Sequence, residues 1–171
     1  MERLFVAVWP SRQVIGSLRR LPRVDHPRVR WTTEKQWHIT VRFLGDVDDG
    51  DAVGAALLAA VPGSLAPAVA TAERRVRRFG PSAIGVPVHG LDDLAAIVAA
   101  ATDRWGSDRA ARPFRGHLTL ARCRGQVPAA ALATGLPALR WAVEEVALVR
   151  SHLGRAGARY ETVLTVPLGR S

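Results

Sequence analysis

The chain has 171 residues, enough for one domain or for two small lobes that share a core. Its 48% hydrophobic content excludes global disorder, and no apolar run reaches the length that spans a bilayer. The net charge of +9 favours a polyanionic partner, RNA foremost, although Lys35 is the only lysine and an arginine- and alanine-rich composition also follows from a GC-rich genome.

In chain order, Leu4 to Trp9 predicts a buried strand; its apolar stretch is too short for a signal peptide, and a cytoplasmic protein is the expectation. Ser11 caps a helix carrying Val14, Ile15, Leu18 and Leu21, which Pro22 ends. A short strand is expected at Val29–Trp31, and a longer one from Trp37 to Leu44. Residues 49–61 read as a helix closed by Pro62-Gly63. Val69 to Phe79 predicts one strongly basic strand, and Ala83 to Val88 another. Leu91 to Trp105 has helical apolar spacing, and Phe114 to Cys123 is a strand. A short helix at 127–136 precedes two alternating strands, 141–152 and 160–168, joined by the segment Leu153-Gly154-Arg155-Ala156-Gly157.

Within this order one pattern occurs twice. His38-Ile39-Thr40-Val41 and His117-Leu118-Thr119-Leu120 are each His, aliphatic, Thr, aliphatic, with Arg42 or Arg122 close behind. Composition alone predicts only about 0.06 such copies, so the pair stands above pattern noise. On a strand, side chains two apart share a face. Each copy therefore offers an imidazole and a hydroxyl on one side and aliphatic side chains on the other. Two copies brought together would set two imidazoles, two hydroxyls and a guanidinium around one anion. Imidazole titrates near neutral pH, so one ring can accept a proton while the other donates one. Threonine hydroxyls and arginine suit phosphoryl oxygens. Strand parity favours Arg42, four residues after His38, over Arg122, five after His117, unless a bulge intervenes. The symmetry of the motifs leaves open which imidazole is the acid.

Phe79 and Trp37 are candidates to stack on a base. His26, His89 and His152 show no metal-triad spacing, so no metal and no cofactor are expected. The single cysteine, Cys123, excludes an intrachain disulfide and reads as a small buried hydrophobe.

The chain resembles the 2H phosphoesterases, and within them the bacterial and archaeal RNA 2′,3′-cyclic phosphodiesterases once described as 2′–5′ RNA ligases. Arg3 to Val8, Trp37 to Gly45, Gly116 to Arg122, and Leu148 to Leu153 with Tyr160 to Leu168 carry the resemblance. One departure is Gly116, where the family usually has proline. The resemblance implies a bilobal α+β fold spanning 1–171. In it, two antiparallel sheets with outer helices flank a V-shaped cleft in a pseudo-twofold arrangement. It implies metal-independent hydrolysis of RNA 2′,3′-cyclic phosphate ends to 2′-phosphates; separately, no obligate protein partner is apparent and a monomer is expected. The resemblance makes His38 the proton donor and His117 the acceptor, with Thr40, Thr119 and Arg122 on the phosphate. The alternatives are ligation by the reverse chemistry, a small cyclic-nucleotide phosphodiesterase, and a non-catalytic RNA-binding module.

Overall fold

In the computed structural model, residues 1–62, 67–106, 113–154 and 157–169 are described. Ten strands, β1 (Glu2–Val8), β2 (Val29–Trp31), β3 (Ile39–Val47), β4 (Ala68–Ala72), β5 (Arg77–Phe79), β6 (Ala83–His89), β7 (His117–Cys123), β8 (Leu139–Val143), β9 (Glu145–Gly154) and β10 (Gly157–Pro167), all pair antiparallel. Their path runs β10-β9-β1-β3-β7-β6-β4-β8, with β2 beside β7 and β5 beside β6. Helices α1 (Arg12–Arg19), α2 (Gly50–Ala60), α3 (Asp92–Ala101) and α4 (Ala129–Leu132) fill the connections.

The helices start where local chemistry dictates. The Ser11 hydroxyl accepts from the Val14 amide, and the Asp49 carboxylate accepts from the Ala52 amide at 2.9 Å. Asp92 and Asp93 lie in the first turn of α3, where the helix dipole favours negative charge. Helix α3 lies on β3 and against α2, so one face of the sheet is covered. Leu4, Val6, Val8, Ile39, Leu118, Leu120 and Val86 fill that core. The opposite face keeps a smaller apolar cluster of Phe5, Ala7, Ala147 and Val149, edged by Trp9 and Tyr160.

Three expectations change. The resemblance implied two sheets; the strands instead form one continuous path, pinched where β3 and β7 share the single pair Ile39↔Leu118. Beyond that pair β3 leaves, and β2 takes its place along β7. The strand expected at 69–79 breaks into β4 and β5. Residues 74–76 leave β6 there, and the Arg74 carbonyl accepts from the Leu136 amide. The strand expected at 141–152 is two strands, because β8 pairs with β4 while β9 pairs with β1. The chain crosses between these two neighbourhoods at Glu144. Gly63 and the Arg155-Ala156 part of the glycine segment lie outside the described residues.

Candidate active site

The Ile39↔Leu118 pair is the centre of the site. Both side chains are fully buried, at 0% and 1% exposure, so the register cannot slip by one residue without exchanging aliphatic and polar faces. An antiparallel pair has a local twofold relation, and this one exchanges the two motifs. Alternation about it sets His38 toward Thr119 and Thr40 toward His117.

Each motif strand then carries a bulge at the same motif position. Against β1, Val41 is the extra residue, since Ala7 pairs with Thr40 and Val6 with Arg42. Against β6, Leu120 is the extra residue, since Gly85 pairs with Thr119 and Ile84 with Ala121. Gly85 makes the second bulge possible, because a Cβ there would run into the Leu118 carbonyl oxygen. A bulge reverses the parity of everything after it. Arg122 is thereby returned to the face of His117 and Thr119, and Arg42 is turned to the core face.

The Arg42 expectation is therefore corrected. Its guanidinium is buried beneath α3, where Nη2 donates to the carbonyls of Thr102 at 3.5 Å and Trp105 at 3.3 Å. It closes the C-terminal end of that helix, a place where the dipole favours a cation. Arg122 is exposed and lines a small cavity of about 50 Å³ with His38, Thr119, Arg30, Gln36 and Tyr160. Thr40 sits across from Ala7, on the same face as this cavity.

The two imidazoles are held alike. His38 Nδ1 lies 2.8 Å from the Gln36 carbonyl, and His117 Nδ1 lies 2.9 Å from the Arg115 carbonyl. A carbonyl only accepts, so Nδ1 carries the hydrogen in both rings and Nε2 remains for chemistry. Gln36 is itself fixed, because its side-chain amide donates to the Ala158 carbonyl of β10 at 2.8 Å. Gly116 is pressed against β6: a Cβ would meet the Val88 carbonyl oxygen and the Phe114 ring. The glycine thus seats His117 closely rather than loosening it.

Their surroundings differ. His38 stands among Phe5, Trp9 and Tyr160, at ring-centroid distances of 5.0, 5.8 and 4.8 Å. This burial pulls its pKa down to about 4 against the opposing Gln36 hydrogen bond, and the positive charges of Arg122 and His117 lower it further. Among the described residues, His117 has a single aromatic neighbour, Phe79, stacked at 4.3 Å and 14°. That stack accounts for Phe79, whereas Trp37 is core, 2% exposed, with its indole donating to the Thr32 hydroxyl.

Sequence reasoning missed Tyr160, Trp9 and Phe5 around His38, and Thr32, whose hydroxyl donates to the Leu120 carbonyl at 2.7 Å and so fixes the second motif strand. The other histidines lie elsewhere: His89 pairs with Glu73, His152 with Glu161, and the His26 ring accepts from the Arg28 amide. Cys123 is buried in the core. Among the described residues, no three His, Cys, Asp or Glu side chains gather closely enough to hold a metal ion. No described helix is long and apolar enough to cross a membrane.

Comparison with known proteins matches residues 8–155 to the model of the 2′-5′ RNA ligase superfamily, a span that includes both motifs and the pair between them. The chain belongs to that superfamily. It is 33% identical over 150 residues to an RNA 2′,3′-cyclic phosphodiesterase of Geobacillus stearothermophilus. That match covers 81% of this chain and 47% of the relative, so the chain spans about half the length of that curated protein. Among solved structures, TT0787 of Thermus thermophilus superposes with a TM-score of 0.76 at 25% identity, covering 97% of each chain. LigT of E. coli, solved in complex with 3′-AMP, superposes at 0.77 and 20% identity over 98% of each chain, which shows the superfamily fold.

Proposed function

We propose that this member of the 2′-5′ RNA ligase superfamily hydrolyses the 2′,3′-cyclic phosphate at an RNA end to a 2′-phosphomonoester, without a metal, in the cytoplasm and as a single-domain monomer. What supports this most is the matched pair of imidazoles. Each has its Nδ1 hydrogen committed to a backbone carbonyl and its Nε2 left for proton transfer, and Arg122 shares a cavity with His38.

Water attacks phosphorus, and His117 Nε2 takes its proton. The bond from phosphorus to the ribose 3′ oxygen breaks in line, and His38 Nε2 gives that oxygen a proton. The pair of electrons from the broken bond stays on the departing oxygen, and the 2′ ester survives. Thr40, Thr119 and Arg122 hold the phosphoryl oxygens as charge develops. His38 is neutral at pH 7 in the free protein, so it needs the substrate's charge to serve as donor. A phosphodiester anion between the rings supplies an attraction that opposes the positive charges of Arg122 and His117. The low pKa of His38 also favours a second reading, in which His38 is the acceptor and His117 the donor. The same two groups run ligation as the reverse reaction.

The test is an oligoribonucleotide ending in a 2′,3′-cyclic phosphate, incubated with protein and EDTA, its product ends separated by chromatography. A 2′-phosphate formed at an undiminished rate is expected. A 3′-phosphate would reverse the leaving oxygen, and the absence of turnover, or its loss to EDTA, would sink the proposal.

A further inference from the structure

Beside the catalytic cavity lies a second, wider groove of about 600 Å³, lined by Arg28, Arg30, Arg122 and Arg124 with Ser82 and Gly157. Its origin is the β2–β7 pairing. Arg30 sits directly opposite Arg122, and the Arg28 carbonyl accepts from the Arg124 amide at 3.0 Å. Arg28 and Arg124 lie just beyond the ends of this ladder, and all four arginines are exposed and line the one groove. Like charges directly opposite one another destabilise a sheet. Among the described residues, no carboxylate lies within salt-bridge distance of Arg28, Arg122 or Arg124. The fold thus gathers Arg28, Arg122 and Arg124, without a carboxylate partner among the described residues, next to the candidate site. Arg30 and Arg122 line both cavities, so the groove adjoins the catalytic cavity.

We propose that this groove is a binding site for the neighbouring internal phosphodiesters of a single RNA strand, with Arg28 and Arg124 as its specific contacts. This rests on the reading that the reacting group is an RNA end. An arginine array reads phosphates and carries no base code, so the groove selects oligonucleotides over cyclic mononucleotides without selecting sequence. The remaining phosphate, at the strand end, is left to Arg122 and the motifs.

The test uses Arg28→Ala, Arg124→Ala and the double variant, with Arg12→Ala as a control for charge loss outside the groove. Two readouts are taken on the full chain. One is the affinity of a fluorescent single-stranded oligoribonucleotide ending in a plain phosphate, measured against salt. The other is turnover of a cyclic mononucleotide and of a dinucleotide with the same cyclic end. The double variant should bind the oligonucleotide roughly tenfold more weakly, with the salt slope reduced by about one per arginine removed. KM for the dinucleotide should rise while both constants for the mononucleotide hold. Unchanged oligonucleotide binding, or an equal loss in Arg12→Ala, would overturn the groove. An equal rise in KM for the mononucleotide would also overturn it, by placing these arginines on the reacting phosphate. If the wild type turns over neither substrate, the hydrolytic function fails, and the binding readout alone judges the groove.

Discussion

The two halves of the site carry the same four-residue motif, yet their histidines live in different media. On β3, His38 is wrapped by Phe5, Trp9 and Tyr160, which belong to β1, its exit and β10. On β7, His117 has one ring, Phe79, stacked on it. The backbone treats them identically, with the same carbonyl two residues back and the same bulge three residues on. What differs is the second layer, and that layer sets the proton affinity of His38. Repetition of a motif therefore fixes where the nitrogens are, while the unrepeated neighbours determine what each nitrogen does.

The comparison breaks most sharply if either ring is removed. His38→Ala and His117→Ala should each lose at least ~10²-fold in rate, the usual worth of a general acid or base. A phosphodiester with a nitrophenolate leaving group separates the roles, because that group departs without a proton. It should restore turnover to the donor's variant and not to the acceptor's. Rescue of His117→Ala alone would exchange the two assignments.

The arginines that follow the motifs form a second contrast. Arg122→Ala should cost ~10²-fold or more in rate, as loss of an oxyanion donor does, with folding stability unchanged. Arg42→Ala should do the reverse. It strands the Thr102 and Trp105 carbonyls, so denaturant melting should show a loss of about 2 kcal/mol, while kcat per folded molecule holds.

The depressed pKa of His38 also makes stability depend on pH. The folded ring takes its proton only near pH 4, whereas the unfolded ring does so near 6.5. Between these values the unfolded chain binds more protons, so stability falls as the pH drops from 6.5 to 4. The margin is full above that window and amounts to about 3 kcal/mol at most. His38→Gln should remove this slope in urea melts across the window. The smallest effect is expected from Tyr160→Ala, which opens the cage to water and should raise the His38 titration midpoint above 4 by NMR. No change would show that the aromatic rings are not what desolvates it.

Much of this was legible in the sequence. The helices begin at Ser11 and beside Asp49, and the motif strands lie where the alternation put them, whereas strand parity set Arg122 on the wrong face. The bulges at Val41 and Leu120 were not legible, because nothing local marks them; the nearest signal, Gly85, lies on the partner strand. That single blind spot misplaced Arg42. The cage around His38 was hidden for a different reason: Tyr160 stands 122 residues beyond His38 in the chain and meets it only through the path β3-β1-β9-β10. Phe5, Ala7 and Trp9, alternating against Leu4, Val6 and Val8, did carry a trace of it, since a strand apolar on both faces must have something to cover each.

The central claim is that one motif holds two equivalent nitrogens in two unequal settings. Imidazole-nitrogen NMR across an acid titration tests it most directly. In its neutral form each ring should be the Nδ1–H tautomer, and His38 should titrate near pH 4 in the free protein. An Nε2–H tautomer in either ring, or a His38 that titrates at its ordinary value of 6.5, would contradict the account.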